Sequence, residues 1–253
     1  MGPRARHDFG SLLRRNLWNV KVWIGLGLVF VLLSGLAGSG PRSPLWFMEL
    51  VLYGLMIAGL VANQRYGLRK RIPLSRTWAS ASYIFLVWLF GMMFEMSLTA
   101  TGEGVGGVHQ ETIPSFILAQ GDYIPIALVS YLVIRWFRTS FSETYFFAAG
   151  KSLTEGLLFT GVLSATILSP AFLLAPVVLA YYTLAYASFI ATPLLFIDEE
   201  LLWRKGAPRR GRSIPYYWAL GFALALGIRV FWGLVYAPLV SRLLDLPPGL
   251  VGE

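Results

Sequence analysis

The sequence predicts an all-α protein, a polytopic transmembrane helical bundle of seven spans, or six to eight if its interrupted segments are counted differently. It is read as a single membrane domain over residues 1–253 with its N-terminus cytoplasmic. Three observations lead there. Of 253 residues, 56% are hydrophobic and only 13% charged, with a mean hydropathy of +0.63, whereas soluble domains carry about a quarter of their residues as charges. Apolar stretches close to the roughly 20 residues that cross a bilayer recur along the chain. Lysine and arginine concentrate in alternate connections, as cytoplasmic loops require.

Residues 1–21 form a basic arm in which Phe9, Leu12, Leu13, Leu17 and Val20 recur at helical spacing beside Arg14 and Arg15. This is the pattern of an amphipathic helix lying on the inner leaflet, with Asp8 as its N-cap. The expected spans follow at 22–38, 45–63, 78–98, 113 or 124 to 137, 152–169, 172–197 and 214–240. The first has a basic lead and small residues at Ala37, Gly38 and Ser39, as a signal peptide does; it reads as an uncleaved span. The fifth and sixth are one apolar run, divided at Ser169-Pro170 because a single helix of that length exceeds a bilayer about 30 Å thick. Ser140 with Glu143 and Ser152 with Glu155 have capping-box spacing, which assigns both glutamates a structural role. Small residues four apart predict close helix packing at Gly54, Ala58 and Ala62, at Gly161, Ala165 and Ser169, and at Gly221 and Ala225. Trp46, Trp78, Trp136, Trp203 and Trp218 lie near span ends, as interfacial belts do.

Orientation follows from the 21 basic residues. Five lie in the N-terminal arm (Arg4, Arg6, Arg14, Arg15, Lys21) and five between spans two and three (Arg65, Arg69, Lys70, Arg71, Arg76). Arg135, Arg138 and Lys151 follow span four, and Arg204, Lys205, Arg209, Arg210 and Arg212 follow span six. Arg42, Arg229 and Arg242 remain for the outer side or the membrane. The outer loop 99–123, which includes a half-helix if 113–120 re-enters, has acidic residues and no basic one. The C-terminus then lies outside, and the location is a cell membrane, plasma or inner.

The same inventory excludes several chemistries. No water-exposed segment is long enough to gather the basic excess into a nucleic-acid-binding face. Without cysteine there is no disulfide, thiol nucleophile or iron–sulfur cluster. Two histidines, His7 and His109, do not furnish haem pairs or the usual zinc sites. No P-loop is present. No cofactor, metal site or catalytic residue is expected, and the balance leans away from an enzyme. Seven spans resemble microbial rhodopsins, but retinal attachment in that family needs a lysine in the seventh span and residues 214–240 have none.

Charges within apolar spans mark the candidate site, because they are costly in hydrocarbon and face a partner or a cavity. Glu49, Glu95 and Arg229 qualify. The fourth span adds Gln120, Asp122 and Tyr123: Gln120-Gly121-Asp122-Tyr123 followed by Pro125 predicts a break, with Asp122 capping a new helix. Broken helices expose backbone groups to a substrate cavity in many transporters; the plainer reading places 113–120 on the outer surface. Glu95 lies seventeen residues beyond Trp78 and Arg229 fifteen beyond Ile214, about 25 and 22 Å from their cytoplasmic starts, which predicts a Glu95–Arg229 ion pair.

Asp198-Glu199-Glu200-Leu201-Leu202-Trp203-Arg204 resembles the Glu-Glu-x-x-x-Arg motif of the prenyl-protease (CAAX- and bacteriocin-processing) membrane family. That family completes its site with two downstream histidine motifs. No histidine follows Glu200 here, and Phe222 to Leu226 carries leucine at the corresponding place. The resemblance therefore implies distant ancestry without protease activity. Three functional classes remain. The first is solute permeation or binding at an outward-facing polar site made of Glu49, Glu95, Gln120, Asp122, Tyr123 and Arg229. The second is a scaffold or assembly subunit, with partner subunits or a second copy. The third is an intramembrane enzyme on lipid or peptide with Glu49 and Glu95 as its acid pair. In all three, membrane lipids are partners.

Overall fold

The computed structural model describes residues 19–36, 44–100, 112–204 and 213–245. Regular structure among the described residues is entirely helical: α1 (Val20–Leu36), α2 (Pro44–Tyr66), α3 (Arg76–Ala100), α4 (Thr112–Phe137), α5 (Phe141–Thr154), α6 (Val162–Ile167), α7 (Ala175–Ile190), α8 (Ile214–Phe231) and α9 (Ala237–Leu243), with one-turn helices at Leu68–Arg71 and Glu199–Leu202. A π-helical turn, Glu155–Phe159, extends α5, and another, Trp232–Tyr236, joins α8 to α9. Five stretches are long and apolar enough to cross a membrane: Pro44–Tyr66, Arg76–Ala100, Ile113–Phe137, Phe172–Ile190 and Ile214–Leu243. The amphipathic arm, apart from its last residues, and the histidines, residues 101–111 of the outer loop and most of the last basic connection lie outside the described residues.

The bundle is built around α5. Every residue from Thr144 to Ser152 is buried, and α5 packs mainly on α7 and α8. Two glycines permit the closest contact. A Cβ on Gly150 would stand 2.2 Å from the Trp218 carbonyl oxygen, and one on Gly221 would stand 2.0 Å from that of Phe147. Thr154 seals the seam by donating to the Phe222 carbonyl at 3.1 Å. The Gly221, Ala225 line on the last long helix is therefore a packing surface, as its spacing predicts. A helix enclosed by helices never meets lipid, so it tolerates Ser, Thr, Lys and Glu wherever its neighbours satisfy them. That is why apolar-run counting misses α5.

Several expectations are overturned here. The fifth segment is not 152–169. Its helix starts at Phe141 behind the Ser140–Glu143 capping box, runs through Ser152 to Phe159, and stops where Gly161 takes the left-handed conformation at φ 65°. Ser152 consequently caps nothing; it sits inside α5 and donates to the Ala148 carbonyl at 2.9 Å. Gly161 and Ala165 do not line a packed face, because the chain turns at the first and exposes the second. Gly54 and Ala58 face outward with no neighbour at Gly54, while Gly59 takes the contact with Leu195. The turn at Ser169-Pro170 is where the sequence places it.

Helix α4 is unbroken from Thr112 to Phe137, with Pro125 inside it, so the break expected at 120–123 is absent. Pro125 removes the hydrogen bond to the Gly121 carbonyl, yet packing on both faces holds the helix through that point. The Tyr236 ring lies where a Gly121 Cβ would be, 2.1 Å from its Cδ1, and its hydroxyl donates to the Ile117 carbonyl at 2.7 Å. Trp232 donates to the Leu118 carbonyl at 2.9 Å. On the other side, Tyr123 fills the space left by Gly91 of α3.

The basic connections meet at one end. Arg69 bridges Glu199 at 2.8 Å, Arg76 donates to the Trp203 carbonyl at 2.9 Å, and the Arg204 amide donates to the Arg135 carbonyl at 3.0 Å. Arg204 lies over Trp136 and Arg138 over Trp203, each guanidinium 4.9 Å from its ring. Burial pushes the Glu199 carboxyl up, with the Arg69 charge opposing it.

Candidate functional site

Half-way through the bundle, α4, α5 and α8 converge on four charges. Asp122 comes from α4, Lys151 from α5, Glu155 from the π-turn that follows, and Arg229 from α8. Lys151 reaches Asp122 Oδ2 at 3.2 Å and Glu155 Oε1 at 3.1 Å. Arg229 grips Glu155 with both arms of its fork, Nε to Oε1 and Nη2 to Oε2, each at 2.9 Å, and its Nη2 stands 3.9 Å from Asp122 Oδ2. Two cations and two carboxylates cancel. Such a cluster is tolerable away from water only because each charge has a partner.

Local structure explains the placement. Lys151 and Glu155 are four residues apart, so they share a face of α5. Opening the π-turn at Glu155 widens the helix where its carboxylate must take both a lysine and an arginine; such insertions recur at functional positions. The second π-turn begins three residues after Arg229 and sets Trp232 beside it. Aromatic rings enclose the cations: Tyr186 lies 5.0 Å from Lys151 Nζ, and Phe159 and Trp232 lie 5.4 and 5.9 Å from the Arg229 guanidinium. Side chains of Lys151, Asp122 and Glu155 are 1–2% exposed, whereas Arg229 is 12% exposed and forms the open edge of the cluster. One atom is unsatisfied: Asp122 Oδ1 is buried without a hydrogen-bond partner.

Depth along the helices agrees. Arg229 lies about 22 Å from the start of α8, and Asp122, fifteen residues before Phe137, lies about 22 Å from the end of α4. Counting depth chooses the wrong acid. Arg229 pairs with Glu155. Glu95, 1% exposed, instead accepts from the Tyr123 hydroxyl at 2.9 Å.

Of the six residues read as a binding set, Asp122 and Arg229 come together in the cluster. Tyr123 and Glu95 form an adjoining pair. Tyr186 stands between the two groups, within electrostatic range of Glu155, Arg229, Asp122 and Glu95. Gln120 belongs elsewhere. It lies in an apolar groove of about 470 Å³ between α3 and α4, lined also by Ile84, Phe85, Ile124 and Leu128. Its amide is satisfied there: Trp88 donates to Oε1 at 2.7 Å, and Nε2 donates to the Phe116 carbonyl at 2.9 Å. Glu49, 3% exposed, accepts from the Tyr181 hydroxyl of α7. Glu49 and Glu95 have different tyrosine partners.

Sequence reasoning missed Lys151 and Glu155. Lys151 reads as one more charge of a cytoplasmic connection and Glu155 as a capping acid, but both stand deep in the bundle. Their four-residue spacing, beyond a capping box that already starts a helix at Ser140, is the signal that places them inside one. The Glu199–Arg204 segment lies among the basic connections, Glu199 on Arg69 and Arg204 on Trp136, and contributes nothing to the cluster. Among the described residues no group of three or more acidic or histidine side chains is placed to hold a metal ion.

Comparison with protein-family models, with curated proteins and with solved structures finds no match. The functional reading therefore rests on this geometry.

Proposed function

We propose that this chain is a membrane-embedded solute-binding or permeation protein whose polar site is the Asp122–Lys151–Glu155–Arg229 cluster. One observation carries the reading: Asp122 Oδ1 is buried without a partner, while the other oxygen of the same carboxylate stands 3.9 Å from Arg229, the most exposed side chain of the cluster. Asp122 offers an acceptor, and Arg229 Nη1 takes no part in the bonds to Glu155 or Asp122. A ligand presenting a donor next to an anionic or carbonyl oxygen, such as a zwitterionic amino acid, satisfies both. In this reading Glu95 and Tyr123 form the adjoining wall, reached through Tyr186.

The arrangement in the membrane is part of the proposal. We infer seven crossings, the five long apolar stretches together with α1 and the α5–π segment, with the N-terminus and basic connections on the cytoplasmic side of a cell membrane. Meeting of the basic connections at one end of the bundle supports this, because positive loops remain cytoplasmic.

The test is thermal unfolding of the purified chain, followed by tryptophan fluorescence, against amino acids, carboxylates and amines. A ligand at a hundredfold excess over its Kd stabilises by about 2.7 kcal/mol. Stabilisation by a zwitterion in the wild type, lost in Asp122→Asn, is the expected result; uptake into proteoliposomes then separates permeation from binding. If no compound stabilises, or if Asp122→Asn responds as the wild type does, the reading fails. A second reading, an assembly subunit, is favoured by the outward-facing Gly54 and Ala58 on α2, where small residues admit a partner helix closely. Chemical cross-linking in native membranes that yields only monomer would overturn it.

A further inference from the structure

We propose that Glu49 is a proton-binding site within the bundle, separate from the four-charge cluster. Glu49 lies five residues into α2, about 8 Å from the start of a helix about 34 Å long, within the first quarter of an apolar span. It is 3% exposed, and no lysine or arginine bridges it among the described residues. A carboxylate charge left in such a place without a counter-charge is costly, and taking up a proton removes the charge.

The surroundings provide a partner for either protonation state. The Tyr181 hydroxyl from α7 donates to Glu49 Oε1, which suits the ionised form. Tyr53, one turn further along α2, is buried with its hydroxyl facing the Glu49 carboxyl. Its oxygen is an acceptor for the O–H of the neutral acid. On α3, Tyr83 donates to the Ile190 carbonyl at 2.8 Å, Glu95 accepts from Tyr123 and Arg76 donates to the Trp203 carbonyl; on α7, Tyr182 pairs with the Thr160 hydroxyl at 3.2 Å and the Tyr186 ring lies 5.0 Å from Lys151 Nζ. Tyr145 of α5 is beyond Tyr53, in electrostatic range of it. From α1 the Phe30 ring lies 4.9 Å from that of Tyr181, tilted by 40°.

This inference does not depend on the proposed ligand. The experiment uses the full purified chain in lipid vesicles treated with dicyclohexylcarbodiimide, an apolar reagent that attacks protonated carboxyls. The acid O–H adds across one C=N bond, the proton going to nitrogen and the oxygen to carbon, and acyl migration leaves a stable N-acylurea. Peptide mass mapping should find the adduct on Glu49, forming faster as the pH falls, and not on ion-paired Asp122 or Glu155. Loss of one hydrogen bond shifts an equilibrium roughly two- to tenfold. At fixed pH, Tyr181→Phe should therefore speed labelling by that factor. Absence of the adduct at every pH at which the wild type stays folded overturns the proposal. So does a pH-independent rate, or protection by sodium ions, which would mark a metal-cation site instead.

Discussion

Changing Glu155 to Gln interrogates the cluster most directly. The substitution keeps the shape and removes one negative charge, so Asp122 alone then faces Lys151 and Arg229. Both arms of the arginine fork, at 2.9 Å, and the Lys151 contact at 3.1 Å lose their ionic character together. Breaking a buried ion pair by neutralising one partner costs about 3–5 kcal/mol, because the other charge is left uncompensated. For a chain of this size each kcal/mol moves the melting temperature by about 2–4 °C, so Glu155→Gln should melt roughly 6–20 °C below the wild type. Arg229→Gln should fall similarly. The double variant should lose less than the sum of the two singles, because Lys151 and Asp122 still neutralise one another, the shortfall being a coupling energy of about 1–3 kcal/mol. Thermal unfolding of the four proteins in one detergent, with tryptophan fluorescence as readout, measures this. The parallel cycle of Glu95→Gln with Arg229→Gln should be additive within about 0.5 kcal/mol. A single variant melting within about 1 °C of wild type, or coupling found in the Glu95 cycle and not in the Glu155 cycle, would refute the assignment.

Three further outcomes are expected. Gly221→Leu drives a side chain into the Phe147 carbonyl, where even a Cβ would stand at 2.0 Å; overpacking costs about 1–3 kcal/mol or more, and the folded yield in gel filtration should drop. In this cysteine-free chain, Arg71→Cys should resist impermeant thiol reagents applied to intact cells, whereas Gly106→Cys should label; the reverse pattern contradicts the orientation proposed above. The Glu199 carboxyl, pushed up by burial from an ordinary value of 4.5, binds a proton more readily in the folded state. The stability it contributes is present below the ordinary carboxylate range and is lost as the pH rises through the raised value. Glu199→Gln should flatten that part of a melting-temperature-against-pH curve, and an unchanged curve would show that Arg69 dominates the site.

Membrane character was legible in the sequence because it is a bulk property: long apolar runs cannot be hidden from a composition, and most of the long helices lie within a few residues of where hydropathy puts them. So was the Ser140–Glu143 cap, whose two reciprocal hydrogen bonds are local. What tertiary structure alone decided was every question in which a neighbour outweighs a local preference. Gly121, Asp122 and Pro125 would end a helix standing alone; Tyr236 and Trp232 packing on one side and Lys151 pairing with Asp122 carry α4 straight through. Ser152 and Glu155 have the spacing of a cap, yet the helix had already begun, and Glu155 instead holds an arginine 74 residues away. Helix α5 is too polar to stand out as an apolar run, and it sits at the centre because protein surrounds it. Hydropathy registers what touches lipid, whereas a buried charge is placed by partners distant in sequence, which only the packed bundle brings within about 3 Å.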